Sequence, residues 1–272
     1  MPKLSIQEGL LPGKTVEERL AAAGHLNIDA VEFPAEDLDA RLPRIAEALD
    51  ANGIKASGIN MGRQDGCLSA DMDRRAGAVD ALREALTCAF DLEADYVTFV
   101  PQCGETDLPD LTPYASPMEL QKELLIWLLR GVSDLCDAMD VQLALQPLNH
   151  YETAFITRLD QAAYFRRQVD DHPKITVAAN LYHMALEEEN LLTALREHNH
   201  DIGLIYLSEN NRRLPGQGIL PFLAIGEALT EMAFDGWLVL EGLEATDNPE
   251  RARQIFQELP GSIQFLRGAG LL

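Results

Sequence analysis

The sequence predicts an α/β fold, a (β/α)8 TIM barrel forming one domain over residues 1–272. Eight short apolar runs rich in β-branched residues recur along the chain, and a stretch of helical period follows each. The total length is close to the roughly 250 residues that such a barrel needs. A doubly wound open sheet is the rival, but no G-x-G-x-x-G follows the first strand. No internal break, low-complexity tract or linker divides the chain.

The strand runs are "LSIQEG" (4–9), "AVEFPA" (30–35), "KASGIN" (55–60), "YVTFVP" (96–101), "QLALQPL" (142–148), "ITVAANL" (175–181), "GLIYLSE" (203–209) and "WLVLEGL" (237–243). Between them, "TVEERLAAAGHL" opens with a Thr cap and two Glu, which suit the positive end of a helix dipole. "SPMELQKELLIWLLRGVSDLCDAM" has a Ser cap, Pro at the first helical position and apolar residues at i, i+3, i+4 spacing. Near the C-terminus, "NPERARQIFQEL" repeats that start with Asn248 and Pro249. Many turns into a strand carry Gly, Asp or Asn ("NGI", "EADY", "FDGW").

Composition narrows the classes. The chain is 47% hydrophobic and 24% charged, as globular proteins are. No run of about 18 apolar residues is present, so no membrane span is expected. The N-terminus lacks a basic region followed by an apolar one, so a cytoplasmic protein without a signal peptide is expected. A net charge of −22 argues against a nucleic-acid partner. Cys67, Cys88, Cys103 and Cys136 are widely spaced, form no CxxC pair, and are expected to be free thiols.

In such a barrel the site lies at the C-terminal ends of the strands. Those positions are polar: Gln7, Glu8, Glu32, Asn60, Gln102, Gln146, Asn149, Glu152, Asn180, His183, Tyr206, Glu209, Asn210, Glu241 and Glu244. Gln146, Asn180 and Glu241 stand at the ends of otherwise apolar strands, where burial of polar atoms is costly and therefore informative. Phe33, Pro34 and Tyr114 are candidate pocket walls. Trp127 and Trp237 read as packing residues, and His25, His172, His198 and His200 as surface residues.

Four segments in order, "LALQPLNHYET", "VAANLYHMALEEEN", "IYLSENNRRLPGQG" and "DGWLVLEGLE", resemble the xylose isomerase-like TIM-barrel family, and within it the ketose 3-epimerases of the D-tagatose/D-psicose type. The N-terminal half ("EGLLPGKTVEERL", "GRQDGCLSADMDRRAGAVDAL") resembles it more weakly. The resemblance implies one divalent ion, often manganese, held by Glu, Asp, His and Glu from strands five to eight. Those positions here are Gln146, Asn180, Tyr206 and Glu241, so only Glu241 matches. The resemblance also implies a substrate grip, and it is kept: Glu152 six residues after the first ligand position, His183 three after the second and Arg212 six after the third.

A hard divalent ion wants anionic oxygen or neutral imidazole. Glu, Asp, His and Glu carry −3; Gln, Asn, Tyr and Glu carry −1. A phenol with a pKa of about 10 is a poor ligand at neutral pH. No resident metal or other cofactor is therefore expected, with weak manganese or magnesium binding left open. The family's 3-epimerases use the first and last Glu as two bases on opposite faces of the substrate, and Gln146 cannot titrate. Glu241 alone could run a one-face proton shift or an elimination, with Gln146, Asn180 and Tyr206 as neutral donors polarising a carbonyl. The expected activity is that of a sugar isomerase or epimerase, or a lyase, acting on a sugar or keto-acid-like molecule. The alternative is a non-catalytic pseudoenzyme that binds such a ligand or serves as a partner subunit. A deliberately inactivated chain is a third account, weakened by the unusual Tyr for His. Family resemblance further implies a homo-oligomer.

Overall fold

The computed structural model describes residues 2–26, 28–63, 66–242 and 249–272; Leu243, Glu244 and Asn248, singled out above, lie outside them. Eight parallel strands close in chain order: β1 (Lys3–Gln7), β2 (Ala30–Pro34), β3 (Lys55–Asn60), β4 (Tyr96–Phe99), β5 (Gln142–Leu145), β6 (Ile175–Asn180), β7 (Ile202–Leu207) and β8 (Trp237–Leu240). β8 pairs back onto β1, with Leu4 opposite Leu238 and Ile6 opposite Leu240. The expected TIM barrel is the observed fold.

Among the described residues the helices are α1 (Val16–Gly24), α2 (Leu38–Asn52), α3 (Met72–Asp91), α4 (Pro117–Met139), α5 (Leu159–Arg167), α6 (Leu181–Glu187), α7 (Leu191–Glu197), α8 (Phe222–Glu231) and α9 (Pro249–Gly268). Their starts follow the side chains read from the sequence. The Thr15 hydroxyl accepts the Glu18 N–H at 3.3 Å. Ser116 and Glu119 form a reciprocal capping box, with Pro117 at the first helical position. Two short helices, not one, bridge β6 to β7, because Asn180 and Asn190 each cap a separate start.

Most strands are shorter than the apolar runs. "QLALQPL" was expected to extend to Leu148, yet β5 ends at Leu145. Pro147 has no N–H to donate, and Leu148 turns to bond Ile156 in its own loop at 3.1 Å. The site residues nevertheless remain tied to the sheet. Gln146 N–H donates to the Phe99 carbonyl at 3.0 Å and Glu241 N–H to that of Leu207 at 3.2 Å.

Alternation along each strand sorts side chains into two environments. Outward residues such as Phe33, Val97, Leu143 and Ile205 pack under the helices. Inward ones, among them Ala30, Tyr96, Ala144, Ala178, Leu204, Trp237 and Val239, fill the barrel. Stepping two residues on from Ala30, Ala144, Ala178, Leu204 and Val239 reaches Glu32, Gln146, Asn180, Tyr206 and Glu241. The top layer of the barrel is therefore polar because period-two strands place it there.

Several expectations change here. Trp127 is 65% exposed on α4, outside the core. Trp237 does pack in the barrel and donates its indole N–H to Asp95 at 2.7 Å. Tyr114 is 93% exposed and Phe33 faces the helices, so of the three candidate walls only Pro34 reaches a cavity. His25 and His200 are exposed; His172 and His198 are half-buried, each 3.2 Å from an aspartate, Asp137 and Asp201. None of the four cysteines forms a disulfide, as expected. No helix of the described residues is long and apolar enough to cross a membrane.

Candidate active site

A cavity of about 740 Å³ opens at the C-terminal mouth of the barrel. Gln146, His183, Arg212 and Glu241 line it, as do Glu32, Asn60 and Arg63. The size suits a small ligand.

Glu241 stands at its floor, held by one oxygen. Its Oε2 accepts from Asn180 Nδ2 at 2.7 Å and from Ser208 Oγ at 3.4 Å. Shielding from water raises the carboxyl to about 6, against the pull of the Asn180 amide and the Arg212 and Arg63 charges. A carboxylate tuned to this range is suited to proton exchange near neutrality.

His183 is almost fully buried, and its tautomer is dictated by its neighbour. The Asn149 backbone N–H donates to Nδ1 at 3.0 Å, so the ring proton sits on Nε2. Burial, reinforced by Arg212 and Arg63, holds the imidazole down at about 3. His183 is thus a permanently neutral donor. Asn149 also donates to Glu152 at 3.1 Å, while Arg63 ion-pairs with Glu152 and Arg212 stands 3.8 Å from it. The structure brings Glu152, His183 and Arg212 to one wall.

Tyr206 does not line the cavity. It is completely buried, and its hydroxyl donates to Glu32 Oε1 at 2.6 Å. The same oxygen takes Tyr96 at 3.0 Å, and Oε2 takes Gln7 at 3.0 Å and Asn60 at 3.1 Å. Asn60 and Thr98 complete the Tyr206 hydroxyl at 3.0 and 2.9 Å. Burial pushes the Glu32 carboxyl and the Tyr206 phenol above their ordinary values. The sequence marked Glu32 only as a polar strand end. Its partner Tyr96 begins a run of core residues, and nothing local distinguishes it.

The family model for the xylose isomerase-like TIM barrel matches residues 19–260. The chain belongs to that family. A D-psicose 3-epimerase of Ruminiclostridium cellulolyticum is 33% identical over 113 residues, 42% of this chain and 38% of that protein. One from Enterocloster bolteae is 34% identical over 42% of this chain, again spanning only 37% of the relative's length. The 3-dehydro-D-guloside 4-epimerase of Escherichia coli aligns along nearly the whole length, 24% identical over 92% of this chain and 95% of that one. In three dimensions, the apo crystal structure of a 3-keto-D-glucoside 4-epimerase from E. coli superposes with a TM-score of 0.85 at 21% identity, covering 98% of this chain and all 100% of the other.

For this member of the xylose isomerase-like family, the side chains at the four expected ligand positions do not fit a divalent ion. Asn180 turns its NH2 to Glu241, and its carbonyl oxygen accepts the Tyr182 and His183 N–H groups at 3.1 and 3.4 Å. The Tyr206 hydroxyl is saturated by Glu32, Asn60 and Thr98. Of the four positions, two line the cavity: the carboxylate of Glu241 and the neutral amide of Gln146. Of the three neutral donors expected to polarise a carbonyl, only Gln146 is placed to reach a ligand.

Proposed function

We propose that the protein is a sugar epimerase or isomerase that moves a proton beside the carbonyl of a small polyhydroxylated substrate without a divalent metal. The observation that carries this reading is Glu241. It lines the cavity, is fixed through one oxygen by Asn180, and has its carboxyl raised to about 6. Family membership and the epimerase relatives support the substrate class.

In this reading Glu241 takes the proton from the hydroxyl-bearing carbon next to the carbonyl and returns it on the same face to the former carbonyl carbon, while the hydroxyl proton passes to the carbonyl oxygen and the double bond moves to the neighbouring carbon. Negative charge developing on the carbonyl oxygen is met by the neutral donors Gln146 and His183 Nε2–H, which stay uncharged and pre-oriented. Arg212 and Glu152 hold substrate hydroxyls. Tyr206 and Asn180 act at one remove: Asn180 orients Glu241, and Tyr206 with Glu32 forms the floor beneath it.

The test is deuterium uptake. A panel of ketoses and keto acids is incubated with the protein in D2O and followed by NMR; exchange at the carbon beside the carbonyl is expected, and Glu241→Gln should lower it by about 10²–10⁴-fold. Exchange that survives this substitution sinks the assignment. Ligands that raise Tm yet never exchange favour a sugar-binding pseudoenzyme.

A further inference from the structure

Between β7 and α8 the chain runs through residues 208–221 without a helix or strand, and a connection of that length in a compact domain usually serves a site. This one is folded around Glu209. The residue is 1% exposed, and its two carboxylate oxygens go to different parts of the loop. Oε1 accepts the Gly216 N–H at 3.0 Å, and Oε2 accepts the Leu220 N–H at 3.0 Å. The backbone of the same residue closes the loop tip: its N–H donates to the Arg213 carbonyl at 2.9 Å, and its carbonyl accepts the Arg212 N–H at 2.9 Å. The carboxylate is closely enclosed, since a Cβ on Gly218 would lie 2.4 Å from Oε2.

The tip so formed carries Arg212. Its backbone sits at φ 59°, in the left-handed region where glycine is the easy choice. A bulky residue persists in that conformation only when its surroundings over-determine it. The backbone and carboxylate bonds of Glu209 supply that constraint. Contacts of the guanidinium itself are softer. It lies 4.9 Å from the centre of the Tyr182 ring, and its Nη1 is 3.8 Å from Glu152 Oε1, beyond hydrogen-bond reach. The loop backbone therefore decides where the Arg212 head borders the cavity, and Glu209 decides the loop backbone.

We propose that Glu209 is a positioning residue, which clamps the 208–221 loop so that Arg212 meets the substrate hydroxyls in one place. That Arg212 grips substrate rests on the reading above; that Glu209 sets Arg212 does not.

The experiment first observes Arg212 without any substrate. In protein carrying isotope-labelled arginine, the Arg212 Nε–H signal is identified by NMR through its loss in Arg212→Lys. Glu209→Gln should shift or broaden that signal, because a Gln amide can accept only one of the two N–H groups and turns an NH2 toward the other. Gly218→Ala keeps Glu209 but displaces its carboxylate, so it should disturb the same signal and serves where Glu209→Gln does not fold. The second measurement is deuterium exchange with the fastest-exchanging of D-fructose, D-psicose and D-tagatose. Glu209→Gln should raise KM about tenfold with a smaller effect on kcat. Combined with Arg212→Gln it should do no more than Arg212→Gln alone, since a residue that acts through another adds nothing once that one is gone. An Arg212 signal unchanged by both loop substitutions in folded protein overturns the proposal, as does a double variant in which the two single effects on KM multiply. A parent protein that exchanges none of the three sugars counts against the proton-transfer reading, and the Arg212 signal then decides this proposal by itself.

Discussion

Asn180 gives its side-chain amide to Oε2 of Glu241 across 2.7 Å, from the neighbourhood of β6 to the end of β8. The bond has two effects on one carboxylate. It fixes the rotamer, and it stabilises the charged form that burial disfavours. The value near 6 is the residue of that opposition.

Proton abstraction needs Glu241 ionised, so kcat/KM should fall about tenfold per pH unit below pH ~6. Asn180→Asp would replace the donor by a second carboxylate, and like charges side by side push one pKa up. Its acid limb should move toward neutrality by about a unit or more. A profile identical to that of the unsubstituted protein, measured by exchange from pH 4.5 to 8.5, would rule out Glu241 as the titrating group.

His183 gives a prediction about stability. Its folded value, about 3, lies below the usual 6.5, so between these the unfolded chain binds the extra proton. Its contribution is therefore complete above pH 6.5 and is lost as pH falls toward 3. Between pH 7 and 5 this amounts to about 2 kcal/mol. Glu241 works the other way, because its raised carboxyl favours the fold as pH drops below 6. The comparison is therefore between proteins: in His183→Gln the loss of urea stability from pH 7 to 5 should be smaller by about 2 kcal/mol.

How much of this was readable follows from the kind of signal each residue carries. Strand count and period two gave the barrel, and because the inward register runs through Ala144, Ala178 and Val239, it also gave Gln146, Asn180 and Glu241. Glu152, His183 and Arg212 were reached through motif spacing, and the fold does gather them. Strand ends were overcalled at β5 because "PL" after Gln146 is apolar yet belongs to a loop with its own hydrogen bonds. The Glu32–Tyr206 pair is separated by 174 residues, with four strands between them in chain order. No local pattern reports a contact of that range. Arg63 is invisible for a related reason: it belongs to a loop, and only closure of the barrel sets it against Glu152.

Glu32 satisfies four donors, so its replacement should be read in graded steps. Glu32→Ala strands Tyr206, Tyr96, Gln7 and Asn60 in a buried layer and should cost about 3 kcal/mol or more. That corresponds to a fall in Tm of about 6–12 °C for a chain of this size. Glu32→Gln keeps an acceptor for the phenols but turns an NH2 toward the Gln7 and Asn60 amides, and should cost less. Gly58→Ala attacks the same layer from beneath, since its Cβ would lie 2.2 Å from the Tyr96 ring. Calorimetric scans that rank Glu32→Ala no lower than Glu32→Gln would show that the network contributes little.

The last prediction concerns the ion that the family's ligand positions imply. If the reading above holds, prolonged chelation should leave deuterium exchange unchanged, and millimolar manganese should raise Tm by less than about a degree, because a ligand stabilises only in proportion to how far its concentration exceeds Kd. The converse substitution makes the argument sharper. Gln146→Glu with Asn180→Asp and Tyr206→His would bring the formal charge of the four positions from −1 to −3 and supply one imidazole. It would also free the Tyr206 hydroxyl's place on Glu32, so the variant should be less stable without metal. Adding manganese should then recover stability in the variant while doing nothing for the parent. A parent protein that loses exchange on chelation, regains it with manganese and is stabilised by the ion would overturn the metal-free reading.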